Sequence, residues 1–178
     1  MKILLTGCCG FIGFNFANSL VKTNKKIKIV GIDNLNNYYS VGLKKARLKI
    51  LLKSKNFTFQ KIDLENLKLL NNLFKKNKFD CIFHLAAQAG VRYSIKNPKK
   101  YIDSNIIGFF NIIELARKTN IKKIFYASSS SVYGDSEKFP LNEKTIINPK
   151  NVYGLTKKFN EELAEVYSNY YDINFVGL

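Results

Sequence analysis

Residues 6–13 read TGCCGFIG and follow the apolar run KILL at 2–5. Glycines at 7, 10 and 13 stand after a strand-like segment and open one of helical period. Without Cβ atoms such a loop can turn tightly and bring its N–H groups against a pyrophosphate, where a helix N-terminus favours negative charge. Gly13 would let the helix pack closely on the strand. Spacing alone is weak, because glycines also make plain tight turns; the position between strand and helix carries the reading. Asp33 closes the next apolar run about 20 residues beyond Gly13, the place for a carboxylate that binds the adenosine ribose hydroxyls. The stretch therefore reads as a dinucleotide site. Asp33 would repel a 2′-phosphate and no arginine replaces it, so NAD is preferred to NADP.

Outward from this loop, short β-branched runs alternate with longer segments of helical period, the pattern of βαβ units and a parallel sheet. Strands are expected over 2–6, 28–32, 57–62, 81–85, 124–128 and 174–177, and helices over 11–23, 41–53, 67–77, 98–120 and 152–171. Right-handed crossovers then give an α/β, doubly wound sheet in strand order 3-2-1-4-5-6, with ligands beyond the carboxyl ends of the strands. Two stretches read as loops: 34–40, NLNNYYS, and 135–150, a binding loop carrying Pro140 and Pro149. No repeat or linker divides the chain, and its 178 residues suit one domain.

Apolar residues make up 46%, yet no run approaches the roughly 18–20 residues that span a bilayer. The N-terminus has no secretory pattern, so a cytoplasmic protein without a membrane partner is expected. Three cysteines, two of them adjacent (Cys8, Cys9), make a poor disulfide framework, and no spacing suggests a metal site; they read as small apolar filler. The formal charge is +16, from 29 Lys+Arg against 13 Asp+Glu. These lysines are scattered in pairs, such as Lys44-Lys45 and Lys157-Lys158, and never form a block. They read as solvated helix faces, not as a nucleic-acid arm.

Tyr153 and Lys157 stand at i and i+4, on one face of a helix start. A free tyrosine is a poor base at neutral pH, but a nearby ammonium favours its phenolate. An ordinary surface pair is the plain alternative; the glycine loop and an upstream serine run, YASSSSVYG at 126–134, favour chemistry.

TGCCGFIG, GIDNLNNYY, HLAAQAGVRYS, SNIIG, YASSSSVYG and YGLTKK, in that order and across the whole chain, resemble the extended short-chain dehydrogenase/reductase superfamily. Within it they are most similar to the nucleotide-sugar 4-epimerases, and GIDNLNNYY with AAQAGVRYS to the UDP-glucuronate 4-epimerases. The resemblance implies a Rossmann-like parallel sheet flanked by helices, with NAD held by Gly7, Gly10, Phe11, Ile12 and Gly13 at the pyrophosphate. Asp33 and Asn34 would hold the adenosine ribose, Asp63 and Leu64 the adenine edge, and Leu85, Ala86 and Ala87 would line the cofactor near Asn105. Tyr153 would take the proton of the sugar 4-hydroxyl while hydride leaves C4. Lys157 would bind the nicotinamide ribose and tune Tyr153, so both also count as cofactor contacts. Ser129 would relay the proton of the 4-oxygen. Sugar dehydratases of the superfamily carry Asp and Glu at the next two positions; here stand Ser130 and Ser131, which with Arg92 would bind a uronate carboxylate. His84, the one histidine, reads as a packed strand-end residue and not as a base.

Family members continue into a smaller domain that grips the nucleotide. Residues 1–178 therefore read as the NAD-binding part, with the C-terminal substrate domain missing. A homodimer through the helices at 98–120 and 152–171 is implied for the full-length form. The competing readings are a 4-epimerase of UDP-glucose and UDP-galactose, and an inactive NAD-binding module.

Overall fold

Strands covered by helices on both faces must be apolar on both faces, and the central ones are: Ile3, Leu4, Leu5, Ile29, Ile32 and Ile82 are each at most 1% exposed. The computed structural model of the chain describes residues 1–136 and 139–178; Glu137 and Lys138, inside the loop expected over 135–150, lie outside the described residues. Strands are β1 (Lys2–Thr6), β2 (Lys28–Asp33), β3 (Phe57–Lys61), β4 (Cys81–His84), β5 (Lys123–Tyr126) and β6 (Asn174–Gly177). They form one sheet, all parallel, in the order β3-β2-β1-β4-β5-β6. Helices are α1 (Phe11–Thr23), α2 (Val41–Leu51), α3 (Leu67–Lys76), α4 (Val91–Lys96), α5 (Pro98–Tyr101), α6 (Gly108–Lys118) and α7 (Val152–Tyr171). A π-helical turn, Ile102–Ile107, joins α5 to α6, and a 3-10 turn covers Ser130–Tyr133.

Alternation along β1 divides the core in two. Leu4, paired in register with Val30 and Ile82, packs into the cluster that holds Leu70, Ile112 and Ala164 of α3, α6 and α7. Ile3 and Leu5 join Ile29, Cys81, Ala17 and Leu51 on the face of α1 and α2. Burying each leucine, isoleucine or valine among them stabilises the fold by roughly 1.5–3 kcal/mol. Glu114 ties α6 to α7: its carboxylate accepts from Arg117 at 2.8 Å and from the Tyr167 hydroxyl at 3.2 Å, and Arg117 holds it down to about 2.

The doubly wound order is as expected, while several boundaries differ. The expected helix over 98–120 is three pieces, ending at Lys118. A helix not anticipated, α4, follows Gly90, whose φ of +97° needs glycine and which offers no side-chain cap to announce the start. β5 stops at Tyr126 and not at Ser128. Ala127 and Ser128 still donate to His84 O and Leu178 O, but Ser129 then turns the chain by accepting from Ser131 N. Lys44 (5% exposed) and Lys157 (2%) are buried, correcting the expectation of solvated faces for one lysine of each pair, while Lys45 is exposed and Lys158 half-buried. Among the described residues no helix is long and apolar enough to cross a membrane.

Candidate active site

The glycine loop, the 34–40 loop and the segments that follow β3, β4 and β5 leave the carboxyl ends of their strands, so parallel pairing gathers them along one edge of the sheet. There a cleft of about 490 Å³ opens between the loops after β1, β2, β3 and β4. Gly7, Gly10, Phe11, Ile12, Gly13, Asp33, Asn34, Asp63, Leu64, Leu85, Ala86 and Ala87 all line it. Gly7 has φ +70°, and a Cβ on it would lie 2.8 Å from the backbone of Ala86; a Cβ on Gly13 would run into the Gly7 carbonyl. The loop is thus pressed against β4's exit by missing side chains. The N-terminus of α1 has no side-chain cap, leaving its first N–H groups free for an anion.

The wall is fixed by hydrogen bonds. Asp33 accepts from Cys9 N at 3.0 Å and Leu35 N at 2.8 Å, and Asn34 donates to Asp63 at 3.0 Å. The Thr6 hydroxyl accepts from Ala86 N at 3.0 Å and lies 3.1 Å from His84 Nδ1. His84 is 3% exposed, and burial pushes it down to about 3, so it is neutral. The sequence did not single out Tyr38, Tyr39, Lys44, Arg47, Gln88 and Ser104, which also line the cleft. Arg47 donates to Cys9 O at 3.3 Å and to the Tyr39 hydroxyl at 3.1 Å, and the Lys44 ammonium stands 4.5 Å over the Tyr39 ring. Burial holds Lys44 below the usual lysine range, with Asp33 acting against it. The apolar spacing of α2 gives no sign of these two, since Leu43 and Ile50 are exposed while Lys44 shares the inward face with Leu51.

Cys8, Cys9 and Asp33 place their ligand-type atoms within 4.8 Å of one another, all buried, a proximity invisible in the spacing. The neighbouring Cys9 and burial push the Cys8 thiol far above its usual value.

Asn105 lies just behind Ala87 and Gln88. It is 1% exposed and does not line the cleft. Its amide accepts from Gln88 N at 2.7 Å and donates to Gln88 O and to the Thr156 hydroxyl. It therefore braces the cleft wall against α7 from behind.

α7 starts at Asn151, whose side chain accepts from Gly154 N at 2.8 Å. Gly154 packs so closely on Ser131 O that a Cβ has no room, which sets the serine turn against the first turn of the helix. Tyr153 stacks edge-on to Tyr101, ring centroids 6.0 Å apart. Lys157 Nζ donates to Ala127 O at 2.8 Å, and burial pulls the ammonium down to about 8 while Glu161 acts to raise it. Tyr153 and Lys157 stand outside the wall of the cleft. Ser130 is exposed, Ser129 and Ser131 are half-buried, and Arg92 is exposed at the start of α4.

The sequence profile of the GDP-mannose 4,6 dehydratase family matches residues 4–177. Protein CapI of Staphylococcus aureus is 49% identical over 179 residues, 100% of this chain and 53% of that protein. UDP-glucuronate 4-epimerase 4 of Arabidopsis thaliana is 41% identical over 180 residues, 100% of this chain and 40% of that one. The crystal structure of UDP-glucuronic acid 4-epimerase from Bacillus cereus, in complex with UDP-glucuronic acid and NAD, superposes with a TM-score of 0.88 at 33% identity. That match covers 99% of this chain and 55% of the other. The chain spans about half the length of the curated relatives it matches.

Proposed function

The chain belongs to the GDP-mannose 4,6 dehydratase family, and from that premise we propose that residues 1–178 form the NAD-binding and catalytic half of a nucleotide-sugar 4-epimerase. The sugar pair we assign is UDP-glucuronate and UDP-galacturonate. One arrangement carries this reading. A glycine-floored cleft and the Tyr153–Lys157 face of α7 share the carboxyl edge of the sheet, and the turn beside α7 bears serines where a dehydratase would need carboxylates.

The residues fit a dinucleotide. The cradle over Gly7 and Gly13 would be filled by any Cβ, the uncapped α1 N-terminus suits a pyrophosphate, and the Asp33 carboxylate stands at the wall where ribose hydroxyls would come. NAD bound there would supply the hydride acceptor for C4 of the sugar and the donor for its return.

The chain's own residues handle the proton. Ser129 Oγ accepts from Ser131 N at 3.2 Å, which leaves its own hydrogen to donate to the sugar 4-oxygen. Tyr153 takes the 4-hydroxyl proton as a phenolate, favoured by the Lys157 ammonium one helical turn away. With hydride returned to the other face of the keto sugar, Tyr153 would give its proton back to the 4-oxygen and the alcohol would be inverted. Ser130 and Ser131 hold no carboxyl group to expel water, so the reaction differs from the dehydration in the family's name; with Arg92 they would meet the uronate carboxylate. The nucleotide grip would come from the length that the relatives have beyond this match. Apolar side chains at Ile107, Phe110, Leu155 and Phe159, each more than a third exposed, support pairing of two copies through the π turn, α6 and α7.

The test is turnover of UDP-glucuronate and UDP-glucose side by side, in the chain completed by the C-terminal half of a relative. Conversion of the uronate supports the assignment; turnover of the neutral sugar alone refutes the substrate, and absence of NAD binding by calorimetry refutes the class.

A further inference from the structure

Lys157 is a buried charge whose one hydrogen-bond partner among the described residues, Ala127 O, is neutral. The proton chemistry needs that nitrogen charged, because only an ammonium favours the Tyr153 phenolate. One turn further along α7 stands Glu161, so that Tyr153, Lys157 and Glu161 at i, i+4 and i+8 form a single stripe. The Ser128 hydroxyl donates to Glu161 Oε1, and Ser128 adjoins Ala127. Two consecutive residues beyond β5 therefore pin two opposite charges one turn apart on the helix, one by a carbonyl and one by a hydroxyl.

We propose that Glu161, held by Ser128, is the counter-charge that keeps Lys157 protonated inside the fold, and is thus a positioning residue of the Tyr153–Lys157 pair. The inference rests on the reaction proposed above for the use made of that charge. Apart from Tyr153, its partner in the proposed reaction, the strands β4 and β5 beside Lys157 supply no anion among the described residues. His84, from β4, is neutral because burial pushes it down to about 3, and Tyr126, from β5, is pushed up to about 12 by burial and then by Glu161. Burial works against the Lys157 ammonium, and Glu161 is the group that offsets it.

The test is a pH titration of lysine 13Cε signals in the 178-residue chain, with Lys157 identified by the signal missing in Lys157→Met. Glu161→Gln should lower the Lys157 midpoint by about one pH unit, tenfold in proton affinity. Ser128→Ala, which keeps the carboxylate and removes its anchor, should move it the same way by less. An unmoved midpoint in Glu161→Gln overturns the proposal. If circular dichroism shows that this variant does not fold, Ser128→Ala decides alone, and an unmoved midpoint there overturns it equally. The titration needs neither NAD nor sugar. A shift without turnover of UDP-glucuronate would sink the proposed function and leave the counter-charge standing; turnover without a shift would do the reverse.

Discussion

The two ends of the functional edge are built from different materials. At the β1–β2 end the cleft is made by main chain: glycines that admit no Cβ, an uncapped helix start, and an Asp33 whose oxygens are already oriented by two backbone N–H groups. At the β5–α7 end the proposed chemistry would be carried by side chains on one stripe of one helix, with a serine turn pressed against it. The first end is sensitive to added atoms and the second to altered groups. Substitutions should therefore separate binding from catalysis.

The largest effect expected is on turnover. Tyr153→Phe should lower kcat on UDP-glucuronate by about 10²–10⁴-fold while calorimetry finds NAD affinity nearly unchanged; equal losses in both would erase the contrast between the ends. Next comes a gain in stability at the same end. Lys157 has a folded-state value of about 8 against 10.5 when exposed, so the unfolded chain binds the extra proton between those values and stability rises with pH across that window. Below pH 8 the full cost of burying the charge applies, about 3 kcal/mol. Lys157→Met escapes that cost but loses the bond to Ala127, so at pH 7 it should be more stable by about 1–3 kcal/mol in urea unfolding. The gain should shrink by pH 10. At the cleft end, Gly7→Ala forces a non-glycine residue to φ +70° and into the Ala86 backbone. It should cost about 1–3 kcal/mol in thermal unfolding and weaken NAD binding, with the Tyr153 and Lys157 groups intact. The smallest effect belongs to Arg92, exposed at the start of α4: Arg92→Ala should raise KM for the uronate by roughly tenfold or less, as befits one exposed charge pair, and leave a neutral sugar untouched.

The same division decides what could be read in advance. TGCCGFIG and Asp33 announce the cleft because a backbone site leaves its mark as glycines and one acid at fixed spacing, and alternation of apolar runs gave the strand order. The wall beyond Asp33 was hidden. Tyr39, Lys44 and Arg47 reach the cleft only because α2 lies across the glycine loop, and a lysine pair looks solvated until a helix face is known to be buried. Tyr153 and Lys157 were legible as an i, i+4 pair, whereas the counter-charge proposed for Lys157 depends on Ser128, which is 33 residues from Glu161 and meets it only after β5 and α7 are packed. Asn105 was legible as a polar residue near the cleft, but its bracing bonds to Gln88 and Thr156 were not, because nothing in SNIIG signals a π turn.

That turn also sets an angle. Each residue advances an α-helix by about 100°, and Ile102–Ile107 takes one wider turn between α5 and α6. Ser104 thereby reaches the cleft and Asn105 the brace behind it, while Ile107 and Phe110 emerge on the outer side. The turn acts as a gear between two surfaces: removing one residue from it would rotate α6 against α5, so that the inner brace and the outer apolar stripe could no longer both be in phase.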